Sequence, residues 1–241
     1  LNLANQYGYP LILKPDEGVG ANATYKINNE QELHEILPTL KESYFLEEFV
    51  DGDLVSYDGL TDYSGRIVFE NSLVYSEGGR EYIGGNTPSF YVTKDIDNDL
   101  RQLGHEIVKV FQIKRKFFHI EFFKVGDSYI PLEVNVRPPG GPIIDMMNYS
   151  VDDDLYRAYA SVVTHRPPNM NPNKKYYCGY VGRRDAFYKH SPQEINAKYP
   201  LNIVEITENP LLFQEAMGKY KYIFRSRSKD KLLEIMRFIL E

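Results

Sequence analysis

Residues Phe117 to Gly141, FFHIEFFKVGDSYIPLEVNVRPPGG, constrain the chain most, because acidic, amide and basic side chains recur there among strand formers with no local counter-charge. Two runs rich in Phe, Ile, Val and Tyr flank Gly126-Asp127-Ser128, the pattern of a β-hairpin with a short glycine-containing loop. If three residues close the loop, Val125 faces Tyr129 and Glu121 stands opposite Glu133. Alternation then adds His119 and Asn135 to the same face. A two-residue loop would set Glu121 against Leu132 and scatter these groups over both faces, so the three-residue register is expected. Opposed carboxylates repel by a few tenths to about 1 kcal/mol, a cost that a divalent cation removes. Glu121, Glu133 and Asn135 offer only oxygen, which suits Mg2+ or Mn2+ and fits zinc poorly. A solvated sheet face with unrelated acids is the alternative reading of the same pattern.

The segments HIEFF and LEVNVRPPGG resemble the ATP-grasp superfamily, whose metal hairpin has a Glu on its first strand and a Glu-x-Asn-x-Arg run on its second. The matching residues are Glu121, Glu133, Asn135 and Arg137. The resemblance is to the biotin carboxylase, D-alanine ligase and amino-acid ligase group, nearest to stand-alone carboxylate-amine ligases, and covers most of residues 5 to 165. It implies an α+β (α/β) ATP-grasp fold, with a nucleotide between a small lid subdomain and a larger antiparallel-sheet subdomain. It also implies a preceding domain, and with it a second phosphate-binding Lys, before the Leu at which this sequence starts.

At 241 residues the chain is long enough for one large or two modest cores, with an ordinary 42% hydrophobic and 26% charged residues. A formal net charge of -6 gives no broad attraction to nucleic acid or anionic membrane, so a phosphate site must be local. The single cysteine, Cys178, excludes an intrachain disulfide and suits a reducing compartment; the expected location is cytoplasmic. No apolar run approaches the ~20 residues of a membrane span.

Near the start, Tyr9 to Lys14 reads as an apolar strand ending in a lysine, followed by PDEGVGANAT, whose glycines leave backbone N–H groups free to wrap an anion. A plain hairpin tip has the same look. The resemblance selects Lys14, Gly18, Gly20 and Ala21 as a phosphate grip. A helix is expected over Asn29 to Lys41, with Pro38 kinking or ending it, and a strand over Tyr44 to Val50. In the family this strand holds adenine, which places Glu47, Glu48, Phe49 and Val50 at the base and Asp53 at the ribose. Two further strands, Leu54 to Tyr63 and Arg66 to Tyr75, lead into a glycine-rich loop whose Arg80 could grip a substrate carboxylate.

A helix is expected from Asp95 to Gln112, an irregular crossing at Pro138 to Pro142, and a helix from Val151 to His165 begun by three capping aspartates. RPPNMNPNKK reads as a linker, after which strands and helices alternate to the end. The expected division is a lid over 1–50, a metal and phosphate sheet over 51–168, and a small C-terminal subdomain over 169–241. Arg183, Arg184, Arg225 and Arg227 read as solvated charges.

The resemblance implies that ATP phosphorylates a carboxylate to an acyl phosphate and that an amine (or thiol) then displaces phosphate, with Arg137 stabilising the transferred group. Cofactors are ATP with Mg2+ or Mn2+; partners are small carboxylates and amines, with room for a homodimer and none for nucleic acid or membrane. Spacing alone also permits an ATP-binding regulatory module or a small-molecule kinase.

Overall fold

The computed structural model describes residues 2–16, 23–41, 43–75, 87–170 and 173–241. The chain divides into two compact units, Leu1–Asp51 and Gly52–Glu241. In the first, α1 (Asn2–Tyr7) precedes β1 (Leu11–Pro15), β2 (Tyr25–Ile27), α2 (Glu30–Ile36) and β3 (Tyr44–Glu48), the strands forming an antiparallel sheet in the order β2-β1-β3. Asn29 caps α2 by accepting from the Glu32 amide at 2.9 Å, and Pro38 falls in the 3-10 turn Leu37–Thr39 that ends it. Leu33 of α2 closes over Leu13 and Ile27 on one face of the sheet. Alternation leaves Ile12, Lys14, Lys26, Phe45 and Glu47 on the other, half-buried or exposed.

The second unit is a nine-stranded antiparallel sheet. Its strands are β4 (Asp53–Thr61), β5 (Ile67–Asn71), β6 (Leu73–Tyr75), β7 (Ser89–Val92), β8 (Phe117–Val125), β9 (Ser128–Asn135), β10 (Tyr177–Arg183), β11 (Ile203–Glu208) and β12 (Tyr220–Ser226). They run β11-β12-β10-β7-β6-β4-β8-β9, with β5 also paired to β4, so β9 is an edge. Helix α3 (Asn98–Val110) packs Leu100 and Val108 on Tyr57, Phe118, Ile120 and Phe122. The opposite face, carrying Leu60, Phe69 and Phe117, is covered by α4 (Ile143–Val151) and α5 (Leu155–Val163). The remaining helices are α6 (Pro192–Lys198), α7 (Leu211–Met217) and α8 (Lys229–Leu240), the last packing Leu232, Ile235 and Ile239 on Tyr222 and Phe224. The fold is α+β, and no helix of the described residues is long and apolar enough to cross a membrane.

Five sequence expectations change. Helix α4 fills residues 143–151, between the crossing at Pro138 to Pro142 and the helix expected from Val151, a stretch for which the sequence predicts no element; it buries Ile143, Ile144, Met146, Met147, Ser150 and Val151 and leaves Asp145, Asn148 and Tyr149 half-buried. The three aspartates then divide their work. Asp152 ends α4 in the left-handed region (φ 54°), Asp153 pairs with Arg157 at 2.9 Å, and Asp154 caps α5. The linker after Arg166 does not end the sheet, because β10 pairs with both β7 and β12, and residues from 177 onward continue the second unit. Arg183 is buried rather than solvated, donating from Nε to the Ile239 carbonyl (2.7 Å) and from Nη1 to the His190 carbonyl (2.6 Å). Arg225 is likewise engaged, with Asp152 and the Tyr149 carbonyl.

Candidate active site

The β8–β9 hairpin brings Glu121 directly opposite Glu133 and His119 opposite Asn135, by a route the sequence did not suggest. Val125 pairs with Ser128, so Gly126 and Asp127 alone form the turn, with Gly126 at φ 59°. Regular pairing would then oppose Glu121 to Leu132. A β-bulge intervenes: Phe122 pairs with Pro131 and Glu121 with Glu133, leaving Leu132 as the extra residue. Pro131 has no N–H to give to a ladder, and an edge-strand bulge is where such a residue fits.

Glu121 belongs to a buried polar chain. His119 Nδ1 lies 2.5 Å from Asp58 Oδ1, and its Nε2 lies 2.9 Å from Glu121 Oε1. The Ser56 hydroxyl donates to the other Asp58 oxygen and accepts from the Leu73 amide at 3.2 Å. Burial disfavours a charged imidazole, but the Asp58 carboxylate and then Glu121 outweigh it and raise the His119 pKa to about 10. The ring is therefore an imidazolium at neutral pH, donating from both nitrogens, and it fixes the orientation of Glu121. Ser56 and Asp58 were not singled out from the sequence. Their signal is DLVSYDGLT, a strand buried from Val55 to Thr61 with an acid at its centre, which requires a partner from another strand.

Glu133 is exposed and Asn135 half-buried, and neither side chain pairs with a described residue. Among the described residues no group of three or more His, Cys, Asp or Glu is arranged to hold a metal ion. The donors here are two carboxylates and an amide, all oxygen-bearing, which can hold a hard divalent cation that keeps part of its water. Strand β9 ends at Asn135, so alternation no longer directs Arg137. Its guanidinium is exposed, donates to the Pro138 carbonyl at 3.1 Å and makes no ion pair with a described residue.

In the first unit, Lys14 stands opposite Phe45 across β1 and β3, and Glu47, two residues on, shares that face. The ammonium meets Glu47 Oε2 at 2.6 Å and lies 5.2 Å from the Phe45 ring centre; Lys26 lies 4.1 Å over Phe49. Glu48 pairs with Leu11 and so points to the opposite face from Glu47, which separates two residues that the sequence grouped. Val50 is half-buried just past the strand. Asp53 belongs to the second unit, exposed as the first residue of β4. Gly18, Gly20, Ala21 and Arg80 lie outside the described residues.

A family model of the ATP-grasp domain matches residues 7–145. No curated protein sequence matches the chain. Solved structures do: N5-carboxyaminoimidazole ribonucleotide synthetase from Thermus thermophilus, at 14% identity and a TM-score of 0.73, over 98% of this chain and 62% of that one. The L-amino acid ligase from Bacillus licheniformis matches at 14% identity and 0.70, over 96% and 61%. The biotin carboxylase from Campylobacter jejuni, solved with β-γ-ATP, matches at 12% and 0.68, over 98% and 58%. The chain thus spans about three-fifths of the length of these structures.

Proposed function

We propose, since this chain belongs to the ATP-grasp family, that it acts as an ATP-dependent carboxylate-amine (or thiol) ligase, releasing ADP and phosphate through an acyl phosphate. The observation that carries this reading is the pair Glu121 and Glu133, opposed across β8 and β9 with Asn135 on the same face. The cation beside them, His119, is shared between Asp58 and Glu121, so the opposed pair keeps a net negative charge that a divalent cation would offset. Glu121, Glu133 and Asn135 would hold Mg2+ or Mn2+, which would supply positive charge against the charge developing as the γ-phosphoryl group of ATP is transferred.

The chain's own residues divide the remaining work. Glu121 and Glu133 supply carboxylate oxygens, with Asn135 adding a neutral one. His119, held by Asp58, keeps Glu121 in one rotamer, the supporting role that outer partners have at metal sites. Lys14 offers its ammonium to phosphate, with Glu47 as the group that holds it at the strand end. Arg137, free of any described ion pair, is available to a transferred phosphoryl group and to the oxyanion formed when a nucleophile attacks the carbonyl. Nucleotide-bound relatives support the cofactor assignment: besides the β-γ-ATP complex, a 2-oxoglutarate carboxylase biotin carboxylase domain from Hydrogenobacter thermophilus was solved with MgADP and bicarbonate.

The test is phosphate release by the full-length protein given ATP, Mg2+ and mixtures of carboxylates and amines, with products identified by mass spectrometry. A ligase releases phosphate only when both substrates are present. Transfer to a single acceptor without release would make it a kinase, and no turnover with tight ATP binding would make it a regulatory module.

A further inference from the structure

On the α3 side of the large sheet lies a cavity of about 620 Å3, bounded by β5, the segment after β7, α3 and the stretch before β10. Its ionisable lining is Glu70, Lys94, Asp95, Arg101, His105 and Lys174. The sheet separates it from the carboxylate pair. Glu70 pairs with Gly59, two residues from Tyr57, and accepts from the Tyr57 hydroxyl at 2.7 Å, so it lies on the odd-numbered face of β4; Ser56 and Asp58 are on the even-numbered face.

The two acids of the cavity are already occupied. Glu70 also receives Arg101 Nε at 2.8 Å and meets His105 Nε2 at 3.1 Å, while Asp95 accepts from the Tyr177 hydroxyl at 3.1 Å. Three fixed cations, Lys94, Arg101 and Lys174, face these two carboxylates, a surplus of one positive charge in a chain whose formal charge is -6. Neither Lys94 nor Lys174 makes a hydrogen bond or ion pair with a described residue. Burial pulls the Lys174 pKa down to about 8, outweighing the Coulombic attraction of Glu70 and Asp95, neither of which it meets in an ion pair. Ile67 and Ile96 add an apolar wall, and the volume falls within the roughly 300 to 1,000 Å3 of small-molecule sites.

We propose that this cavity is a second ligand site, separate from the nucleotide site, which takes a small organic anion: one carboxylate or phosphate head against Lys174 and Lys94, and a compact apolar body against Ile67 and Ile96. The two heads share the same recognition chemistry, and the test separates them. Calorimetric titration with phenyl phosphate, benzoate and neutral phenol, on wild type and on Lys174→Gln, Lys94→Gln and Lys14→Ala, should show saturable binding of at least one anion and none of phenol. Each cavity variant should weaken that binding about tenfold or more, the worth of a charged hydrogen bond, while Lys14→Ala leaves it unchanged. The bound anion should also protect Lys174 from acetic anhydride, mapped by mass spectrometry on the unaltered chain. The assignment falls if neither anion binds, if Lys174 is not protected, if both cavity variants bind as wild type does, or if Lys14→Ala is the variant that abolishes binding.

Discussion

Glu133 lies opposite Glu121, two residues along β8 from His119, yet the fold depends on Glu133 and His119 very differently. Glu133 is exposed and holds no described partner, so its charge contributes little to folding. Glu133→Gln should keep the melting temperature close to wild type and remove nearly all Mg2+-dependent phosphate release; near-normal turnover would exclude it as a metal ligand. His119 is 5% exposed between two acids, and replacing it strands the fully buried Asp58. His119→Ala should therefore lower unfolding free energy by about 3 to 5 kcal/mol, read from urea titration. A loss below about 1 kcal/mol would mean that Asp58 finds another partner. At this scale the sequence disclosed what strand alternation disclosed: Glu121, Glu133 and Asn135 sit on one hairpin. Asp58 reaches His119 only through the pairing of β4 with β8, a contact between residues 61 apart.

Among the elements, α3 and its glycine show how closely packing sets the sheet. A Cβ on Gly104 would lie 2.2 Å from a ring carbon of Tyr57, so the helix approaches as it does only because that side chain is missing. Gly104→Ala gains helix propensity, but the overpacking should win and destabilise the chain by about 1 to 3 kcal/mol. A calorimetric melting temperature at or above wild type would show that α3 can shift outward freely. Helices α2, α3 and α5 were legible from caps and periodicity, whereas α4 was not, since it spans nine residues and its cap, Pro142, makes no side-chain hydrogen bond to announce its start. The hairpin was legible in its outcome and hidden in its cause. Periodicity of two fixes which residues share a face only where pairing is regular, and nothing in YIPLEV marks Leu132 rather than the turn as the place of the extra residue.

For the whole molecule, residues 52–241 form one compact unit with a continuous large sheet, where composition set a boundary near residue 168, because a proline-rich linker marks a crossing as readily as a boundary. Acid sensitivity belongs to this scale. Burial works against ionisation of Glu70, but hydrogen bonds from Tyr57, His105 and Arg101 prevail and hold its pKa below the usual 4.5. A depressed folded pKa means that the stabilisation is complete above about pH 4.5 and is lost as the pH falls through the lower folded value. Glu70→Gln should flatten the stability profile below that pH; an unchanged acid limb would assign the sensitivity to other groups. The bulge at Leu132 has a further consequence. With the register correction located beside Glu121 and Glu133, everything from Phe122 round to Pro131 is a handle whose length does not set the carboxylate alignment. Residues added between Gly126 and Asp127 would be absorbed at the tip, which makes that turn a permissive position for a fluorophore, an epitope or an inserted domain on an otherwise unaltered chain.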